Sequence, residues 1–160
     1  MSDAVLAPGD PAPAFEAETT SGERLSLADL RGRQVVLYFY PRDNTPGCTK
    51  EACGLRDSYA DFAAAGVVIL GVSTDSVRSH QKFTEKFALP FALLADTDGA
   101  IARAYGAWGE KKFMGRTTIG VKRSTFVIDP EGKISHIFAK VKPEVHAQQL
   151  LDALGIARST

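Results

Sequence analysis

Cysteine is scarce in this chain: two occur in 160 residues, Cys48 and Cys53. Two cysteines make no covalent scaffold for a chain of this length, so they read first as buried hydrophobes or as reactive thiols. Net charge is absent too, with Lys plus Arg and Asp plus Glu at 19 each. That balance gives no electrostatic case for nucleic acid or for an anionic membrane surface. No run approaches the roughly 18 apolar residues that a membrane span needs. The opening residues, Met1 to Leu6, lack the basic and apolar regions of a secretory leader. The cytoplasm is therefore the expected compartment, where lasting structural disulfides are uncommon. The three histidines, His80, His136 and His146, are scattered without metal-ligand spacing and are expected at the surface. Neither a Gly-x-Gly-x-x-Gly pattern nor a P-loop occurs.

What is present suits one α/β domain. The 44% hydrophobic and 24% charged content is ordinary for a globular protein, and the length allows a real core. No repeat, low-complexity tract or linker divides residues 1–160, and the prolines at 8, 11 and 13 mark residues 1–14 as an N-terminal arm. Val35 to Tyr40 is an apolar run rich in β-branched and aromatic residues, as expected of a strand buried on both faces. A turn-rich loop at 41–47 leads into a helical pattern in which Cys48, Ala52, Leu55, Tyr59, Phe62 and Ala63 share a face, with Gly66 as its stop. Strands are expected at Val67–Val72 and Phe91–Ala95, around a helix at 76–87. Ser124–Ile128 and Ile134–Val141 read as two strands joined by the turn Asp129-Pro130-Glu131-Gly132, before a helix at 143–154 that opens on Pro143. A β-α-β half followed by a β-β-α half, around a mixed central sheet flanked by helices, is the plan of a thioredoxin-like fold.

In open α/β sheets, reactive groups collect beyond the carboxyl ends of the strands. The loop that leaves the first central strand reads Pro41-Arg42-Asp43-Asn44-Thr45-Pro46-Gly47-Cys48. Thr45 suits an N-cap and Pro46 the first helical position, which puts Cys48 third in the first turn. Unpaired amides and the positive end of the helix dipole favour an anion there. This matters because the thiolate is the nucleophile, and a free thiol with a pKa near 8.5 is only about 3% ionised at neutral pH. Glu51 opposes ionisation, so a helper cation is expected. The segment 111–123 offers Lys111, Lys112, Arg116, Lys122 and Arg123 with no acid. An arginine fits best, because its planar fork can donate to sulfur and oxygen together.

Cys53 follows Cys48 by five residues. In one regular helix their Cα atoms would stand about 8.6 Å apart, against the roughly 4.4–6.8 Å that a disulfide spans. Any bond between them requires the first turns to unwind, and Gly54 lowers the cost of doing so. The spacing suits a switch better than a staple. Each residue also has a plainer reading: Cys48 an inert buried thiol, Cys53 a core residue, Thr45 only a cap, Arg123 a solvated residue before its strand. Trp108 and Phe113 read as packing residues. Two rival functions stand beside the reactive-thiol reading. A disulfide reductase or oxidase would want Cys-x-x-Cys, and a metal-delivery or redox-sensing protein would want a histidine in the 111–123 segment, which has none.

The loop resembles the active-site motif Pro-x-x-x-Thr-x-x-Cys of the peroxiredoxins, here Pro41, Thr45 and Cys48. The run from Tyr38 to Cys53 is similar to the bacterioferritin comigratory protein, or peroxiredoxin Q, subgroup, as are Tyr105 to Arg116 and Arg123 to Asp129. The resemblance runs from about residue 7 to 154. It implies a hydroperoxide reductase in which Cys48 is the peroxidatic sulfur. Thr45 and Arg123 would orient the peroxide and stabilise the thiolate, Pro41 would shield the sulfur, and Cys53 would resolve the sulfenic acid in an intramolecular disulfide. It further implies thioredoxin or a similar dithiol as reductant and no need of metal, haem, flavin or nicotinamide. A monomer is expected, since the chain ends at Thr160 without the C-terminal arm and third cysteine of the obligate-dimer peroxiredoxins.

Overall fold

The computed structural model describes residues 6–113 and 115–156, with the backbone alone at 111–113. In chain order it contains β1 (Glu16–Thr19), β2 (Arg24–Ser26), a 3-10 turn (Leu27–Leu30), β3 (Gln34–Phe39), α1 (Pro46–Asp57), α2 (Tyr59–Ala64) and β4 (Val67–Ser73). There follow α3 (Val77–Phe87), β5 (Ala92–Ala95), α4 (Ala100–Ala104), β6 (Trp108–Phe113), β7 (Arg116–Val121), β8 (Ser124–Ile128), β9 (Ile134–Phe138) and α5 (His146–Ala153). Seven strands form one mixed sheet in the order β2-β1-β5-β4-β3-β8-β9. β3, β4 and β5 run parallel, while β8 is antiparallel to β3 and to β9. This is the thioredoxin-like α/β arrangement expected from the sequence. β6 and β7 pair separately as a hairpin.

β3 organises the core because its side chains alternate between the two faces of the sheet. Val35, Leu37 and Phe39 pack with Val72, Ile101, Tyr105, Phe126 and Ile128 on one face. Val36, Tyr38 and Tyr40 pack with Cys48, Leu55, Phe62, Phe83, Leu150 and Leu151 on the other. Both faces are covered, which is why the strand reads as an unbroken apolar run. The residues before the sheet lie along β9 and its turn: the Gly9 amide donates to Ile134 O, and Ala12 to Gly132 O.

Several boundaries differ from the sequence reading. The helical run expected from Cys48 to Ala63 is two helices, because Ser58 (φ −102°, ψ 5°) leaves helical geometry and its carbonyl caps the next turn, accepting from Asp61 and Phe62. The last helix starts at His146 rather than at residue 143, with 143–145 as a turn, and β9 ends at Phe138 rather than at residue 141. β1, β2, α4 and the hairpin were not anticipated. Two histidines expected at the surface, His80 and His146, are fully buried, whereas His136 is half-buried. The start of the N-terminal arm, residues 1–5, and the side chains of Lys111, Lys112 and Phe113 lie outside the described residues.

Gly71 on β4 marks the closest packing under the site. A Cβ there would lie 2.7 Å from Leu93 Cδ2 and 2.8 Å from the Tyr38 hydroxyl. Overpacking of this kind costs about 1–3 kcal/mol. Gly71→Ala is expected to lower the unfolding free energy by that amount, seen as a lower urea midpoint with an unchanged m value in chemical denaturation.

Candidate active site

The site lies where β3 ends and α1 begins. Register sets its width: Phe39 at the end of β3 pairs with Ser124 at the start of β8, so Arg123 stands just beyond the same sheet end. Cys48 is the third residue of α1, after Pro46 and Gly47, and is 2% exposed. The first intrahelical bond is Thr49 N to Thr45 O at 2.8 Å. The Gly47 and Cys48 amides therefore precede the helical ladder and add their dipoles beside the sulfur. No acid occupies the first turn of α1.

Arg123 bridges this turn. Its Nη2 donates to Cys48 Sγ at 3.2 Å, and its Nη1 donates to Glu51 Oε1 at 2.6 Å. Glu51 lies one turn after Cys48, so one guanidinium reaches both from the side. The absence of a side chain at Gly47 permits this, since a Cβ there would sit 3.2 Å from Arg123 Nη2 and 3.7 Å from Pro143 Cγ. Burial works against the Arg123 charge, but Cys48 and Glu51 outweigh it and hold its pKa above the ordinary value. Glu51 is 1% exposed, and its second oxygen has no hydrogen-bond partner among the described residues. Burial therefore pushes its carboxyl up from 4.5 to about 7, against the pull of Arg123. Tyr38 lies beneath, its buried phenol held well above its ordinary pKa by burial and then by Glu51 and Cys48.

The other expected residues are placed as follows. Thr45 holds the N-cap position, but its side chain makes no capping bond; the hydroxyl donates to Arg42 O at 3.0 Å. Pro41 is half-buried directly after β3 and Tyr40. Cys53 is half-buried on α1, and both thiols are free. With α1 wound from Pro46 to Asp57, the pair cannot close a disulfide in this form. Among the other described cations of the 111–123 segment, Arg116 and Lys122 are exposed. Trp108 lies under the Arg103 guanidinium, 4.6 Å from its ring centroid, which is a packing role.

Three neighbours were missed. Glu51 reads from sequence only as a charge opposing ionisation, yet here it steadies the arginine. His146 is kept below its ordinary pKa by burial, and further by the Arg123 charge; its Nε2 meets the Thr125 hydroxyl at 2.7 Å and its Nδ1 faces Gln149 Oε1 at 3.1 Å. That ties α5 to β8 beside Arg123. His80 falls on the apolar stripe of Val77, Phe83 and Phe87, a signal of burial that was present in the sequence. Among the described residues, Asp43, Asp75 and His80 bring ligand-type atoms within 4.8 Å of one another. These atoms already bond to hydroxyls, to the Asp43 amide and to each other.

A buried thiol under an arginine at a helix start is the constellation of a cysteine-based redox enzyme. Residues 8–137 match the AhpC/TSA family. The putative peroxiredoxin Bcp of Coxiella burnetii is 49% identical over 146 residues, 91% of this chain and 97% of that protein. Peroxiredoxin Bcp of Escherichia coli K12 is 45% identical over 149 residues, 93% and 96% of the two chains. Among solved structures, the Xanthomonas campestris bacterioferritin comigratory protein, studied for its alkyl peroxide reduction activity, aligns with a TM-score of 0.83 at 39% identity over 88% of this chain and 90% of that one. Peroxiredoxin Q of Xylella fastidiosa, as a cysteine-to-serine mutant, gives a TM-score of 0.89 at 32% identity over 95% and 97%. This chain belongs to the AhpC/TSA family, as a peroxiredoxin of the bacterioferritin comigratory protein or peroxiredoxin Q kind.

The raised Glu51 pKa has a definite sign. Folding favours the protonated carboxyl, so the stability it contributes is complete below pH 4.5 and is lost as pH rises through about 7. Glu51→Gln cannot ionise. The stability of wild type relative to Glu51→Gln is expected to fall across that window and then level off, as followed by urea denaturation at stepped pH. A difference independent of pH would refute the assignment.

Proposed function

We propose that this enzyme reduces hydrogen peroxide and organic hydroperoxides through Cys48, with Cys53 as the resolving thiol. The Cys48 thiolate attacks one oxygen of the peroxide, the O–O bond breaks, and water or an alcohol leaves once protonated. The two electrons come from sulfur, which becomes a sulfenic acid. The Cys53 thiolate then attacks that sulfur, expelling the second oxygen as water and forming the Cys48–Cys53 disulfide. An external dithiol such as thioredoxin reduces the disulfide by exchange and carries the two electrons in.

The observation that carries this reading is Arg123 Nη2 at 3.2 Å from Cys48 Sγ, with the same guanidinium held by Glu51 at 2.6 Å. A fork fixed in this way can donate to the sulfur and to the peroxide oxygen beside it. Thr45 at the mouth of the first turn would orient the peroxide, and half-buried Pro41 would keep water from the sulfur. Both cysteines stand on α1, which favours resolution within one chain and a monomer as working unit. A dithiol that returns the pair to its free state fits a reducing compartment, the cytoplasm. Residues 1–160 are read as one domain, with 1–14 as its arm.

Peroxide consumption by the reduced protein with a thioredoxin system tests the scheme. Cys48→Ser is expected to abolish turnover. Cys53→Ser is expected to stop cycling after a single turnover that leaves a sulfenic acid. Wild type that consumes no peroxide while Cys48 is still readily alkylated would overturn it.

A further inference from the structure

Five residues before Cys48 lies a buried polar cluster that takes no part in the scheme above. Asp43, 8% exposed, sits in the loop between β3 and α1. The Tyr40 hydroxyl donates to its Oδ1 at 2.5 Å, and the Ser79 hydroxyl to its Oδ2 at 2.8 Å. His80 Nδ1 meets the same Oδ2 at 2.8 Å. The Asp43 amide donates to Asp75 Oδ2 at 2.8 Å, an oxygen that also accepts from the Ser73 hydroxyl at 2.7 Å. His80 is fully buried, and its Nε2 lies 2.9 Å from Leu94 O. A carbonyl only accepts, so Nε2 carries a hydrogen. One loop residue is thus joined to the ends of β3 and β4, to the first turn of α3 and, through His80, to β5.

The hold weakens at the next residue, where Asn44 Oδ1 accepts a long, exposed bond from Lys86 of α3 at 3.4 Å. Asn44 turns the chain at φ +59°, a left-handed conformation that asparagine tolerates. Beyond it, the Thr45 hydroxyl bonds back to Arg42 O within the same loop. The first turn of α1 is tied by side-chain hydrogen bonds to Arg123, while Cys48 packs in the core with Val36 and Tyr38 of β3. A chain fixed at one residue and loosely held in the next few unwinds from the fixed point.

We propose that Asp43 is a positioning residue for Cys48: clamped by Tyr40, Ser79 and His80, it is the fixed point that keeps the first turn of α1 wound and limits how often that turn opens. The wound form presents Cys48 beneath Arg123. The opened form is the one in which Cys48 can meet Cys53, so the consequence for turnover rests on the two-cysteine cycle proposed above. The anchoring itself does not.

Amide hydrogen exchange on the reduced full-length protein, without peroxide, reads the anchor directly. Ser79→Ala removes one bond and Asp43→Ala removes all three at the carboxylate, leaving the Asp43 amide on Asp75. Exchange at residues 47–52 is expected to rise about threefold or more in Ser79→Ala and about tenfold or more in Asp43→Ala, the scale set by losing one and several ordinary hydrogen bonds. Amides of β3 and β4 should keep their wild-type rates. Equal acceleration everywhere, or none at 47–52, would overturn the proposal; if Asp43→Ala does not fold, Ser79→Ala decides alone. A peroxide pulse then separates the two claims. With the cycle correct, the anchor variants form the disulfide faster and accumulate less Cys48 sulfinic acid than wild type. If 47–52 respond but wild type forms no Cys48–Cys53 disulfide, the anchor stands and the cycle fails.

Discussion

The guanidinium of Arg123 has the Cys48 sulfur on one side at 3.2 Å and the Glu51 carboxylate on the other at 2.6 Å. Much of the fold serves to put it there. Antiparallel pairing of β8 with β3 brings Arg123 to the sheet end at which α1 starts, and a slip of one residue would turn it to the opposite face. Gly47 leaves the space that the guanidinium occupies. Thr125, the second residue of β8, is held by His146 of α5. The positive charge is secure because both of its neighbours favour it, although burial opposes it.

In the two-cysteine cycle proposed above, the same site would have to satisfy two incompatible geometries. Attack on a peroxide wants α1 wound, so that unpaired amides and Arg123 converge on Cys48. Closure of a disulfide across five residues wants that helix opened, because regular helical spacing holds the pair too far apart. The structure distributes its contacts accordingly. Leu55 on α1 belongs to the buried core with Leu150 and Leu151, and Gly54 lies against Ala147 of α5. Packing holds both halves of α1, through Cys48 and Ala52 in the first and Leu55 in the second; the first turn adds polar contacts to Arg123. Polar contacts of this kind, exchangeable with water, are the ones that can be released and remade in a catalytic cycle.

The sheet was legible in the sequence wherever a strand is buried on both faces. Val35–Tyr40 and Val67–Val72 are apolar throughout and match β3 and β4 to within a residue or so. β1 was missed because it is short and alternates Glu16 and Glu18 with Ala17 and Thr19, a pattern diluted by its polar side. β6 and β7 lie outside the seven-stranded sheet, and the exposed Thr117, Thr118 and Ile119 of β7 give no core-facing period. At the site, Cys48 and Arg123 could be paired from motif and charge. Glu51 as the grip on Arg123 could not, since an acid near a thiol reads as a liability until its contact is seen. Asp43 and His80 needed the fold, because 37 residues separate two groups 2.8 Å apart.

The most direct test of the central claim is the second-order rate of Cys48 oxidation by hydrogen peroxide, measured by stopped flow in Arg123→Lys and Arg123→Ala. Far-ultraviolet circular dichroism confirms that each variant is folded. If the shared guanidinium organises the site, both variants slow by about a hundredfold or more, the scale of losing one preorganised donor to a developing charge. Lysine should rescue little, because a point charge cannot serve sulfur and oxygen together. A folded Arg123→Ala enzyme that reacts within a factor of two of wild type would contradict the account.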